Sequence, residues 1–441
     1  MKKLLTLMLT VILAVAACLG LTACGDDETS STATIDLMGN QYAMYAEDVP
    51  DDFKIGFIFL HDEKSTYDLN FLSAAKEAVA AMGLKSSQVV YKVNVPEGQE
   101  CYDAAKEMIE DGCKAIFANS FGHGAFMLEA AEDYPEVQFF HATGTQASNL
   151  PAGVTNFHNA FASIYEGRYF GGIAAGMKLN EMVAAKEEAL GRDLTAEELA
   201  AETKMGYVGA YPYAEVKSGY TSFYLGAKSV CPSVTMDVKF TNSWYDETAE
   251  KAAAEALIAG GCKLISQHAD SMGAPSACEK AGVPNVSYNG TTIAKCPNTF
   301  IISSRINWAP YFSMIIASFA EGSGIVVPTD YAGSVYDGMV EILPINAEVM
   351  AKGTIEAIMN GSMSFGMYGK SAATIFNVAN FTVAGQTLTE YLADVVDAGD
   401  YVPETNVIKT VNGVTFFDES NAEEFRSAPY FDIDIDGITI K

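Results

Sequence analysis

The chain has 441 residues, with 56 acidic against 27 basic side chains and a formal net charge of −29. Nucleic acid is excluded as a partner, because phosphate binding needs a basic face. The length exceeds one ordinary hydrophobic core, so two domains are expected.

The amino terminus reads as an export signal. Lys2 and Lys3 precede an almost unbroken apolar run, Leu4 to Leu19, and Leu21-Thr22-Ala23 leads into Cys24. Charge, apolar core and small-residue exit are the marks of a signal peptide. A cysteine directly after the small residues resembles the bacterial lipobox, which implies cleavage before Cys24 and lipidation of its thiol. A plain secretory signal and a single membrane anchor are the alternative readings. The apolar run falls short of the ~20 residues a spanning helix needs. Residues 24–50 follow as a polar tether without periodicity.

From there, strands and helices alternate. Apolar runs at Lys54–Leu60, Gln88–Val95, Lys114–Asn119 and Val137–Ala142 are expected as buried parallel strands. Helical stretches Tyr67–Met82, Gln99–Gly112 and Gly122–Asp133 lie between them. The unit then recurs. Lys54-Ile55-Gly56-Phe57-Ile58 matches Lys204-Met205-Gly206-Tyr207-Val208, and Gly112-Cys113-Lys114-Ala115-Ile116 matches Gly261-Cys262-Lys263-Leu264-Ile265, each about 150 residues later. The expected fold class is α/β, with two similar doubly wound parallel-sheet lobes joined by a hinge. The expected boundaries are 51–158 plus about 291–325 for lobe 1, and 159–290 plus about 326–378 for lobe 2. Residues 379–441 are expected as an extension of short strands and turns packed on a lobe. Glu181 to Thr203 reads as an acidic helical insertion.

Of the eight cysteines, Cys18 leaves with the leader and Cys24 is the anchor. Pairing among Cys101, Cys113, Cys231, Cys262, Cys278 and Cys296 stays open. Cys113 and Cys262, at equivalent strand starts, are read as buried thiols.

Ligands bind beyond the carboxyl ends of parallel strands, so facing lobes place a solute between them and close by a hinge. The loops there are His61 to Asp68, Asn119-Ser120-Phe121-Gly122-His123, Tyr211 to Glu215, Asn242-Ser243-Trp244-Tyr245-Asp246 and Gln267-His268-Ala269-Asp270-Ser271. They are rich in aromatics, amides and carboxylates and poor in cations. That mixture fits a neutral, planar, hydroxyl-bearing ligand: Phe121 and Trp244 to stack on a base, at ~1–3 kcal/mol per stacked base, and Asp270 to accept from sugar hydroxyls. Lobe packing is the alternative for each aromatic, and helix capping for Asp270.

These segments, with Phe161 to Ala175, Phe223 to Pro232 and Asn307-Trp308-Ala309-Pro310-Tyr311, resemble the basic membrane protein family of ABC-transporter binding lipoproteins across roughly residues 53–360. The resemblance implies a type I periplasmic-binding-protein fold and a nucleoside or purine ligand. It implies that Asp270 binds the sugar and Trp244 lines the base. Asn119, Ser120 and Phe121 would contribute from the first lobe, and Tyr67 and Asn70 would stand opposite Glu215 and Tyr220. With Asn289, these form the candidate ligand-binding set. Two departures stand out: His61-Asp62-Glu63-Lys64-Ser65 replaces the usual glycines and aspartate, and Asn70 stands where Asp is commoner.

The expected partners are a nucleoside-like or nucleobase ligand, ABC permease and ATPase subunits, and the membrane through the lipid anchor. No cofactor, metal or catalytic residue is expected. A nucleoside hydrolase or glycosidase needs a metal cluster or a positioned carboxylate pair, and no such motif stands out; His123 and His268 are read as satisfied polar residues. A receptor that signals rather than feeds an importer is the other rival.

Overall fold

The computed structural model describes residues 41–335, 337–358, 382–387, 390, 408–410, 414–416, 431 and 433–441. The expected leader 1–23, Cys24, the tether up to residue 40 and most of the expected extension lie outside the described residues.

The first lobe runs β1 (Ile55–Ile58), α1 (Thr66–Ala81), β2 (Val89–Lys92), α2 (Gln99–Glu110), β3 (Ala115–Ala118), α3 (Gly124–Asp133), β4 (Gln138–Ala142) and β5 (Phe157–Ala162). The chain continues through α4 (Ile164–Leu190) and α5 (Ala196–Glu202), the latter within the expected helical insertion. The second lobe follows as β6 (Lys204–Gly209), α6 (Ala214–Val230), β7 (Thr235–Phe240), α7 (Glu247–Ala259), β8 (Leu264–His268), α8 (Gly273–Ala281), β9 (Asn285–Tyr288) and β10 (Phe300–Ile306). Then come α9 (Ala309–Ser318), β11 (Asp330–Gly333), β12 (Val340–Ile342) and α10 (Lys352–Ala357). Two hairpins, β13 (Thr382–Val383) with β14 (Gln386–Thr387) and β15 (Ile408–Thr410) with β16 (Val414–Phe416), precede the final strand β17 (Ile438–Ile440).

The sheets have orders β11-β5-β4-β3-β1-β2 and β12-β10-β9-β8-β6-β7-β17. Every pairing in them is parallel except that of β10 with β12. The shared order β2-β1-β3-β4-β5 and β7-β6-β8-β9-β10 is the internal repeat made visible. Helices cover both faces of the central strands, so all four residues of β1 are buried, each Ile or Phe contributing about 1.5–3 kcal/mol.

The lobe boundaries differ from those expected. Residues 159–162 belong to β5 of the first sheet, and β11 pairs with β5 rather than joining the second lobe. The stretch 291–325 divides: β10 pairs with β9 in the second sheet, while α9 packs on α1 of the first. The cause is that the chain changes lobe only where a strand's ladder ends. Ser163 N donates to Gly333 O at 2.6 Å and Asn307 N to Met339 O at 2.7 Å, closing β5 and β10 at the crossings. The tether is also shorter than expected. Residues 43–48 form a 3₁₀ turn, because Tyr42, Tyr45 and Val49 pack on the core and Asp48 O accepts from Glu321 N.

Two helices approach unusually closely. A Cβ on Gly172 of α4 would stand 2.0 Å from Phe223 O of α6, and one on Gly226 of α6 would stand 2.0 Å from Tyr169 O. Only glycine permits this backbone contact. All six described cysteines are buried free thiols, and burial pushes both Cys113 and Cys262 up to about 11.

Candidate ligand-binding site

The carboxyl ends of both sheets face one cavity of about 470 Å³, within the range of small-molecule sites. Leu60, His61, Ser65, Tyr67 and Asp68 line it from the end of β1 and the start of α1, and Ser120 and Phe121 from the end of β3. The second lobe adds Pro212, Tyr213, Ala214 and Glu215 after β6, Trp244 and Tyr245 after β7, and His268 and Asp270 at β8. No lysine or arginine is among the lining residues.

The lobes touch around it. Thr66 donates to Asp270 O from its amide (3.1 Å) and its hydroxyl (2.8 Å). Asn70 Nδ2 donates to Asn289 Oδ1 at 2.9 Å. Ring centroids of His61 and Tyr245 lie 5.9 Å apart, and those of Phe121 and Tyr213 6.1 Å. The arrangement is a closed crevice.

Three carboxylates converge here. Asp68 is buried, and its Oδ1 accepts from His61 N (3.0 Å) and Asn119 Nδ2 (2.7 Å). Glu215 lies 3.8 Å from His268 Nε2. Burial, then the negative charges of Glu250, Asp68 and Glu215, hold the Asp270 carboxyl well above the usual range, and the Asn289 amide opposes them. Burial lowers the His268 pKa, which favours the neutral ring, while Glu215 opposes it. Asp270 does not cap α8: that helix start has no side-chain cap, and Ser271 Oγ accepts from Gly273 N instead. The Asp270 carboxyl lines the cavity with the Asn289 amide beside it.

The expected residues fall into two layers. Tyr67, Ser120, Phe121, Glu215, Trp244 and Asp270 line the cavity. Asn119 stands behind them: its side chain holds Asp68 and the Leu60 amide, and its carbonyl accepts from Tyr67 Oη at 2.8 Å. Asn70 and Asn289 bond each other across the lobes. Tyr220 does not reach the cavity. Five residues beyond Glu215 on α6, it points about 140° round the helix axis from it. It is buried between Tyr207 and Phe240, donating to Asp434 Oδ1 at 3.2 Å. The expected pair of stacking rings is modified too, because Tyr213 touches both Phe121 and Trp244 and stacks on Tyr211 at 5.0 Å.

Sequence reasoning put the loops bearing Asp68, Tyr213 and His268 at the ligand site without naming these side chains as contacts, and it missed Thr143, Thr145, Phe161, Tyr288 and Phe431 as lining residues. Thr143 and Tyr288 stand at the carboxyl ends of β4 and β9, where the same strand-end rule applies. Thr143 takes a left-handed φ of 63°, and Tyr288 Oη is buried without a protein hydrogen-bond partner. Phe431 had a signal as well: Phe431, Ile433 and Ile435 alternate with aspartates, the period of a half-buried strand. Among the described residues no group of His, Cys, Asp or Glu is placed to hold a metal ion. Nor is any described helix long and apolar enough to cross a membrane.

Known proteins share this architecture. Residues 57–356 match the family described as ABC transporter substrate-binding protein PnrA-like (Bmp). A purine-binding protein of Brucella abortus (strain 2308) is 33% identical over 263 residues, 59% of this chain and 66% of that protein. A putative ABC transporter glucose-binding protein of Haloferax volcanii is 33% identical over 208 residues, 47% of this chain and 46% of that protein. The chain therefore spans less than two thirds of the length of these curated relatives. The crystallised ABC transporter solute-binding protein of Conexibacter woesei superposes with a TM-score of 0.52 at 16% identity, covering 71% of this chain and 98% of that one, a likeness of fold. With more than half its length matched, in order and on a two-lobe α/β frame, the chain belongs to the Bmp family of PnrA-like ABC transporter substrate-binding proteins.

Proposed function

We propose that this protein is the extracytoplasmic, lipid-anchored solute-binding component of an ABC importer, holding a nucleoside, purine favoured, between its lobes. The observation that carries the reading is the buried Asp270 carboxyl, uncapped and facing an aromatic-rimmed cavity without lysine or arginine. A carboxyl group there accepts or shares hydrogen bonds with vicinal sugar hydroxyls, while Phe121, Tyr213 and Trp244 offer flat faces to a base. A phosphate group would meet Asp68, Glu215 and Asp270 with no cation to balance it, which favours a nucleoside over a nucleotide. The purine-binding relative supports the same class.

In this reading, closure presents a combined surface of both lobes to the permease, with ATPase subunits behind it. Cys24 carries the lipid, and no covalent step or cofactor takes part. The glucose-binding name of the second relative favours a sugar as the competing ligand. Titration calorimetry of the soluble chain against purine and pyrimidine nucleosides, free bases and glucose separates the readings. Tightest binding of a purine nucleoside is expected; free bases binding as tightly would remove the sugar role, and glucose alone binding would overturn the nucleoside. Release of free base on incubation would move the protein to the hydrolases. Membrane fractionation of Cys24→Ser, expected to free the protein from the bilayer, tests the anchor.

A further inference from the structure

We propose that Phe431, delivered by the C-terminal segment 433–441, is a specificity-determining wall of the ligand cavity, and that Lys217 and Tyr220 of α6 hold it there. The inference rests on the reading of this cavity as the solute site. Phe431 is 2% exposed and lines the cavity, yet it stands far beyond residue 356, where the family match ends. One wall of the cavity therefore comes from residues outside the span matched to the family.

The segment behind Phe431 is pinned at three places. Ile433 and Ile435 are buried in step with Phe431, while Asp434 points outward. Asp434 Oδ1 accepts from Tyr220 Oη at 3.2 Å and pairs with Lys217 Nζ at 3.3 Å. Further on, β17 adds to the second sheet beside β7, with Ile438 opposite Met236 and Ile440 opposite Val238. The chain enters β17 through Gly437, at φ 92°, where a Cβ would stand 2.0 Å from Tyr224 Oη. Asp436 Oδ2 meanwhile accepts from Thr382 Oγ1 and Gly385 N of the β13–β14 turn. A ring held by such a frame has little freedom to yield to a larger ligand, so it acts as a size filter.

The test is a ligand ranking on the full soluble chain and its Phe431→Ala, Phe431→Trp and Lys217→Met/Tyr220→Phe variants. The probes are adenosine, guanosine, inosine, their benzylated derivatives, glucose and maltose. For Phe431→Ala the preferred small ligand is expected to weaken roughly tenfold, while bulky derivatives weaken less or strengthen. Phe431→Trp should sharpen the preference for small ligands, and the anchor variant should relax it without touching ligand. A change in ranking supports the proposal, since a merely structural role weakens all ligands together. Unchanged ranking, or uniform weakening with a lowered melting temperature, overturns it while leaving the nucleoside reading intact. If the wild type binds only sugars, the nucleoside reading fails and the glucose-to-maltose ratio decides the role of Phe431. A wild type that binds no probe overturns both.

Discussion

The main-chain carbonyl of Asp270 accepts two hydrogen bonds from Thr66, one from the amide and one from the hydroxyl, across the gap between the lobes. Asp270 N in turn donates to Trp244 O at 2.9 Å. The backbone of this residue thus ties the first lobe to the second and the β8 tip to the β7 tip. Its carboxyl remains on the cavity wall, beside the contact between the lobes that its own carbonyl makes.

On the proposed nucleoside reading, Asp270→Ala should weaken binding by about 0.5–3 kcal/mol, the range from neutral to charged hydrogen bonds. Titration calorimetry reads it. Thermal stability should hold or rise, because the variant removes a carboxyl whose burial is unfavourable. Unaltered affinity for nucleosides would remove Asp270 from the sugar site.

Thr66→Ala deletes one of the two bonds to the Asp270 carbonyl, and Asn70→Ala deletes the bridge to Asn289. Each should cost about 0.5–1.5 kcal/mol of ligand affinity, through a less favourable closed state rather than lost ligand contact. Small-angle scattering should then show a larger mean dimension for the unliganded variants than for the wild type. Equal dimensions and equal affinities would deny these bonds a part in closure.

Glu250, buried behind the Asp270 loop, accepts from Asp246 N and Ser271 N, and burial pushes its carboxyl from an ordinary 4.5 up to about 7. An acid raised in the folded state binds more protons there than when unfolded. Its contribution is therefore complete below the unfolded value and is lost as pH rises through the folded one. The melting temperature should fall from about pH 4.5 to 7 on this account, and Asp270 acts in the same direction. Glu250→Gln should flatten that slope, whatever it does to absolute stability. A slope unchanged by the substitution would remove Glu250 as its source.

Gly226→Ala drives a Cβ into the Tyr169 carbonyl across the α4–α6 contact. A loss of about 1–3 kcal/mol or more in denaturant unfolding is expected, as for overpacked cores. A neutral result would mean the two helices part without cost.

The duplicated β-α-β order, the parallel sheets and the placing of the cavity-lining loops at strand ends were legible in the sequence. Each follows from local patterns: apolar runs bounded by turn residues, helical periodicity, and the recurrence of Lys54 to Ile58 at Lys204 to Val208. Which side chain faces the cavity was legible at loop tips and in the first turn of the helices that follow, as for Tyr67 and Glu215. Phe121, Trp244 and Asp270 sit at tips and reach the cavity, whereas Tyr220 lies one and a half turns into a helix and faces the core. Tertiary structure alone decided that Asn119 serves Asp68 and that β10 stays with the second lobe. It also decided that Phe431 returns to the site from far along the chain. Such pairings depend on through-space contact between segments distant in sequence, and local hydrophobic periodicity carries no information about which distant partner a buried face will meet.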